Sequence, residues 1–108
     1  METVEKRLLL AKHLEEFRSW AYESLVAEID RARYEHDCLQ FRQGVFADGT
    51  EYNLEFNVFW DNQKEGDVRV CGDLAKIPQR PLLGFLPVFT PDVTESFIMR
   101  RDGTFVDE

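Results

Sequence analysis

The sequence predicts an α+β fold: a long N-terminal helix packed on an antiparallel sheet of three to four strands, followed by a short C-terminal helix or turn. Three observations carry that reading. Apolar residues recur at steps of three or four from Val4 to Ala32, with no Gly or Pro among them. They then alternate singly through CLQFRQGVF, YNLEFNVFW and VRVCGDL. Asp48-Gly49 stands between the first two of these runs, the strongest short hairpin signal. The chain has 108 residues, which suits a single domain over 1–108: helix 3–34, β-meander 38–75, and a Pro-rich segment with a C-terminal element over 76–108.

The helix begins at Thr3, a capping residue, with Glu5 in its first turn. Its expected core stripe is Val4, Leu8, Ala11, Leu14, Phe17, Ala21, Leu25, Ile29 and Ala32. A helix of some 30 residues is about 45 Å long, whereas a strand of nine residues spans only about 30 Å. The helix must therefore overhang its sheet or bend. Arg18-Ser19 is the expected bend, because the Ser19 hydroxyl can bond back to the preceding turn.

The meander follows from the two alternating pairs. A two-residue type I′ turn at Asp48-Gly49 sets Val45 against Tyr52, Gln43 against Leu54, Phe41 against Phe56 and Leu39 against Val58. The polar loop DNQKEGD then leads into a third strand, with Trp60 facing Val68, Val58 facing Val70 and Phe56 facing Gly72. The stripe from Tyr52 to Trp60 reads as the inner face of a sheet covered by the helix. Beyond it, residues 76–91 hold all four prolines among Leu82, Leu83, Phe85, Leu86, Val88 and Phe89, an edge strand or an extended loop. Thr90-Pro91-Asp92 reads as the start of a short helix to Phe97, and Asp102-Gly103 as a further turn.

Charge limits the partners. The chain carries a net charge of -8, and residues 37–75 hold eight acids against three bases. Nucleic acid is excluded by the lack of a basic patch. A membrane span is excluded because no run approaches the ~20 apolar residues it needs. A cytoplasmic setting with two reduced cysteines is expected. In the expected register Cys38 and Cys71 lie two strand spacings apart, about 9–10 Å, too far for a disulfide and open to reagents.

Few residues suggest chemistry. Arg42, Glu55 and Asp73 fall in one row on the outward face of the expected sheet, as do Cys38, Phe59 and Arg69, and Gln40, Asn57 and Cys71. The first row reads as a solvated ion-pair row. Phe59, ringed by Asn57, Arg69 and Glu55, is the anchor of a candidate protein-binding face. Tyr34-Glu35-His36-Asp37-Cys38 gathers metal-ligating types, but neighbours on an extended chain point apart. On the helix, Leu9, His13, Trp20, Ala27 and Tyr34 share the side away from the expected core. Leu9, His13 and Trp20 are the candidate contacts of a homodimer that weakens as His13 becomes charged. No catalytic, cofactor-binding or metal-binding residue is assigned.

Ser96-Phe97-Ile98, Asp102-Gly103-Thr104-Phe105-Val106 and Gly66-Asp67-Val68-Arg69-Val70 resemble patterns in small bacterial α+β domains of unassigned function. Some of those domains occur in immunity-like or toxin-like settings. The resemblance covers about a third of the chain, rests on turn glycines and apolar anchors, and brings no catalytic residue with it. It implies a small bacterial interaction module. The expected function is thus non-enzymatic binding of a protein partner of basic character, immunity-like in kind. The alternative is a ligand pocket or enzyme site between helix and sheet, near Gln43, Tyr52 and Leu54.

Overall fold

A computed structural model describes residues 3–77 and 92–107. Two helices, α1 (Thr3–Arg18) and α2 (Tyr22–Glu35), precede four strands: β1 (Gln40–Val45), β2 (Glu51–Trp60), β3 (Val68–Lys76) and β4 (Val93–Met99). The strands form one antiparallel sheet in the order β1-β2-β3-β4. α1 packs along β4 and β3, and α2 packs over β2 and β3. The expected α+β architecture is present, with three differences that bear on function.

The first is the helix. It is not one rod of about 30 residues but two helices broken at 19–21. The break falls at the expected place and by the expected means, since Ser19 Oγ donates to the Glu16 carbonyl at 2.7 Å. The amides of Ser19 and Trp20 close tight turns onto Glu16 and Phe17. Breaking the rod lets both pieces lie on the sheet: α1 buries Lys6, Leu10, Leu14 and Phe17, and α2 buries Leu25 and Ile29. α1 is also turned relative to expectation. Val4 and Leu8, assigned to the core, are exposed, and Leu9, assigned to the far side, packs against it. α2 ends at His36, whose left-handed φ of 54° lets its amide and that of Asp37 reach the Ala32 carbonyl.

The second is the register of β1. Between β2 and β3 every expected pair is present: Trp60–Val68, Val58–Val70 and Phe56–Gly72, with Glu55–Asp73 on the reverse face. Between β1 and β2 the pairing is shifted by one residue, so that Arg42 opposes Leu54 and Phe41 opposes Glu55. The turn explains the shift. The Phe46 amide bonds to the Thr50 carbonyl at 2.8 Å and the Gly49 amide to the Phe46 carbonyl at 2.9 Å. Three residues, Ala47 to Gly49, therefore form the loop, with Gly49 at φ 90°, rather than the two of a type I′ turn. A one-residue slip exchanges the faces of a strand. Gln40, Arg42 and Gly44 look toward the helices, while Phe41, Gln43 and Val45 look away. Leu39 stays buried because a bulge places Leu39 and Gln40 both opposite Phe56, the Leu39 amide also bonding to the Phe56 carbonyl at 2.8 Å.

The third is the C-terminal element. Residues 93–97, expected as a short helix, belong to β4, paired with β3 from Leu74–Val93 to Val68–Met99. The alternation Val93, Phe97, Met99 on the buried face, opposite Leu74, Val70 and Val68, outweighs the helix-start signal at 90–92. The Asp102-Gly103 turn forms as expected, with Gly103 at φ 87°. It returns the chain so that Phe105 bridges Met99 and meets the Phe97 ring edge-on at 5.6 Å. Most of the Pro-rich segment lies outside the described residues.

The core sits between the helices and the inner sheet face. Phe56 is fully buried at its centre, 4.9 Å from the Phe17 ring. Gly72 opposite it provides the clearance for α1. A Cβ there would come within 2.9 Å of both Leu10 Cδ1 and the Phe56 ring, so the absence of a side chain lets helix and sheet close.

Candidate interaction surface

Alternation along four strands gives the sheet a second face, and no described helix or strand packs on it. From β1 come Phe41, Gln43 and Val45; from β2, Asn53, Glu55, Asn57 and Phe59. From β3 come Arg69, Cys71, Asp73 and Ala75; from β4, Thr94, Ser96 and Ile98. Phe59, Asn57, Glu55 and Arg69 share this face, as expected. Phe59 is 43% exposed and opposes Arg69. The Arg69 guanidinium is held by Asp61 at 2.8 Å and donates to Ser96 Oγ at 3.1 Å. It lies flat along the sheet as a satisfied cation.

The expected rows through β1 are corrected. Arg42 is not beside Glu55; Phe41 takes that place, because the three-residue loop shifts β1. For the same reason Gln40 opposes Phe56 rather than Asn57, and Cys38 lies before β1 rather than opposite Phe59. The slip changes the character of the face. It removes a cation and brings out Phe41, 52% exposed, and Val45, 62% exposed. Glu55 now faces the Asp73 carboxylate on one side and an aromatic ring on the other. Asp73 accepts from Thr94 Oγ1 at 2.7 Å. The result is an acidic, partly apolar surface. Phe41 and Val45 belong to it, and the sequence signal for them was the choice between two loop lengths at a single Asp-Gly.

Arg42 itself enters the interface between sheet and helices. Its guanidinium lies 5.5 Å from the Phe17 ring centre and 5.4 Å from that of Phe56. It donates to Gln40 Oε1 at 2.7 Å, to Glu16 at 2.7 Å and to His13 Nδ1 at 2.8 Å. Because arginine only donates, His13 Nδ1 must accept, which places the ring proton on Nε2 and keeps the imidazole neutral. Burial, followed by the neighbouring Arg42 charge, lowers the His13 pKa below its usual value. The hydrogen bond and charge of Arg42 likewise hold the Glu16 carboxyl below the ordinary range.

The helix stripe is corrected in the same terms. Leu9 and Trp20 pack partly buried against the core, with the Trp20 ring 5.3 Å from Phe17, and His13 is tied to β1. The break after Arg18 and the turn of α1 carry these residues away from the outer side. Tyr34 alone of the aromatic pair in that stripe stands exposed.

Two further stretches singled out in the sequence take these places. Near the expected pocket, Leu54 is fully buried, Tyr52 lies over Gly44 and 4.5 Å from the Phe46 ring, and Gln43 points to the other face, where it lines a cavity of about 250 Å³ with Gly44, Val45, Glu51 and Ile77. At the helix–strand junction Arg31 gathers Glu28, Glu35 at 2.9 Å, Asp37 at 3.3 Å and the Cys38 carbonyl at 3.0 Å. Among the described residues no group of three or more His, Cys, Asp or Glu converges on a metal position. Both cysteines are free thiols, and burial pushes each above the usual thiol range. That makes them less reactive than their expected exposure implied.

A cleft of about 590 Å³ lies between α2 and the end of β2, lined by Ile29, Asp30, Arg33, Val58, Trp60 and Lys64 among others. No described helix is long and apolar enough to cross a membrane. No protein-family model, curated protein or solved structure matches the chain.

Proposed function

We propose that the chain is a non-enzymatic protein-binding module whose outer sheet face receives a basic protein partner. The observation that supports this most is the composition of that face. Exposed Phe41, Val45 and Phe59 stand beside Glu51, Glu55 and Asp73, and the one cation among its described residues, Arg69, is already paired with Asp61. Aromatic anchors in a polar setting suit protein recognition. The uncompensated acids favour a partner carrying Lys and Arg and speed its approach. An immunity-like role, in which an acidic face covers a basic surface of another protein, is the setting that the bacterial resemblance implies.

The test is site-directed photocrosslinking from position 59, with position 34 on α2 as the control. A single adduct from position 59 identifies the partner, whose affinity is then measured by calorimetry. Phe59→Glu and Glu55→Lys should each weaken binding at least about tenfold. Unchanged affinity in both variants removes the face from the interaction.

The cleft beside α2 favours a second reading, a small-ligand site, since Arg33 and Lys64 line it with Asp30 and Trp60. A ligand held there raises the melting temperature with concentration in the absence of any protein, and Trp60→Ala removes the rise.

A further inference from the structure

The sheet has two edges, and they are treated differently. On β4 the outward carbonyls of Ile98 and Thr94 are in use. The Val106 amide bonds to Ile98 at 3.0 Å, Arg7 approaches Thr94 at 3.5 Å, and Phe105 bridges Met99. On β1 the outward carbonyls have no such use among the described residues. The Phe46–Thr50 bond and the pairing of Gln40 with Phe56 direct the amides and carbonyls of the even-numbered residues toward β2. Those of Phe41, Gln43 and Val45 therefore point away from the sheet. β1 contains neither Pro nor Lys, and beyond the bulge at Leu39 no described element lies along it. Proteins usually guard such an edge, because it is a template for another strand.

We infer that β1 pairs antiparallel with β1 of a second copy of this chain, about a two-fold axis at Gln43, to make one continuous sheet. Three features select a second copy over a foreign strand. The first is register. With Gln43 opposite the partner's Gln43, all three outward-pointing residues fall in hydrogen-bonded pairs, each exchanging both bonds. The second is side-chain match. The same register sets Phe41 against the partner's Val45 and Val45 against the partner's Phe41. The two most exposed apolar side chains of the sheet thereby become an aromatic–β-branched pair, a favourable cross-strand combination. The third is charge. In a chain of net charge -8, the outward side chains of β1 are all neutral, and the one charged residue of the strand, Arg42, is turned inward with its donors on His13, Glu16 and Gln40. Two copies of an acidic molecule thus meet at an edge whose outward side chains carry no charge. A basic foreign partner is better matched to the acids of β2 and β3.

The experiment joins sedimentation velocity with amide hydrogen exchange read residue by residue. Wild type at about 100 µM should sediment as a dimer, with the Phe41, Gln43 and Val45 amides protected although no bond among the described residues of one copy protects them. Val45→Lys and Phe41→Lys replace exposed side chains and leave the core untouched. Each should be monomeric, fold with unchanged circular dichroism, and exchange those three amides at least tenfold faster. A wild type that is monomeric at this concentration overturns the inference, and so does a dimer that persists in both variants. A dimer whose three amides exchange freely also overturns it, because another surface then holds the copies together. If the three amides become protected only when a different protein is added, the edge serves a foreign strand and the second copy is excluded.

Discussion

His13 and Arg42 are joined by a bond that makes the protein sensitive to pH. Burial and the Arg42 charge lower the folded-state His13 pKa below its unfolded value, so the unfolded chain binds the proton more readily. The stability contributed by neutral His13 is complete above about pH 6.5 and is lost as pH falls from there through the lowered folded value. Denaturant midpoints measured between pH 7.5 and 5 should fall in wild type and fall less in His13→Gln. Arg42→Ala removes three hydrogen-bond partners and a guanidinium lying over two rings. It should destabilise by about 2 kcal/mol, even though β1 is an edge strand. Phe56→Ala should cost about 3–5 kcal/mol, against a change within about 0.5 kcal/mol for outward Glu55→Ala. Gly72→Ala should cost about 1–3 kcal/mol by forcing Leu10 and the Phe56 ring apart. Urea melts of these variants rank the contributions. If Glu55→Ala proved the most damaging, the assignment of the two sheet faces would be reversed.

At the scale of elements, the hairpin loop accommodates the face of β1 that tertiary contacts select. The loop Ala47 to Gly49 joins Phe46 to Thr50, and deleting Ala47 leaves Asp48-Gly49 as a two-residue connection between the same two ends. That loop suits a type I′ turn without altering the pairing of Phe46 with Thr50. The deletion should therefore keep Arg42 opposite Leu54 and change stability by no more than about 1 kcal/mol. Cross-strand nuclear Overhauser contacts decide the matter: contacts between Phe41 and Glu55 must survive, and new ones between Phe41 and Phe56 would show that the loop does not hold the register. The broken helix follows a similar logic. Ser19 terminates α1 locally, and the sheet beneath takes Phe17 from α1 and Leu25 from α2 into one core.

For the whole molecule, acidity separates the two proposed associations. A basic partner on the outer face is drawn by long-range attraction, which salt screens as the Debye length falls from about 10 Å at 0.1 M to about 3 Å at 1 M. Two copies of net charge -8 repel, so the same screening should hold the β1 dimer constant or tighten it. Sedimentation and calorimetry across this salt range should move in opposite directions. If both associations weaken together, the edge contact is also electrostatic and the neutral-edge argument fails.

The sequence alone determined the α+β class, the place where the helix divides, and the full pairing of β2 with β3. Each rests on local information: a step of three or four, a serine at a helix end, and two strands whose faces differ sharply in polarity. Phe59, Asn57, Glu55 and Arg69 were legible for the same reason, as the outward members of those two strands. The facing of β1 was not legible, because Asp48-Gly49 permits a loop of two residues or three and the strand's own pattern is ambiguous at Gln43. Tertiary contacts decided it. Arg42 has partners on α1 and between two rings only if it turns inward, and Phe41 and Val45 then must turn out. The rotation of α1, which buries Leu9 and Trp20 and exposes Leu8, likewise depends on the sheet it meets. β4 became a strand rather than a helix because β3 offered an unpaired edge, and an edge exists only once the other strands have folded.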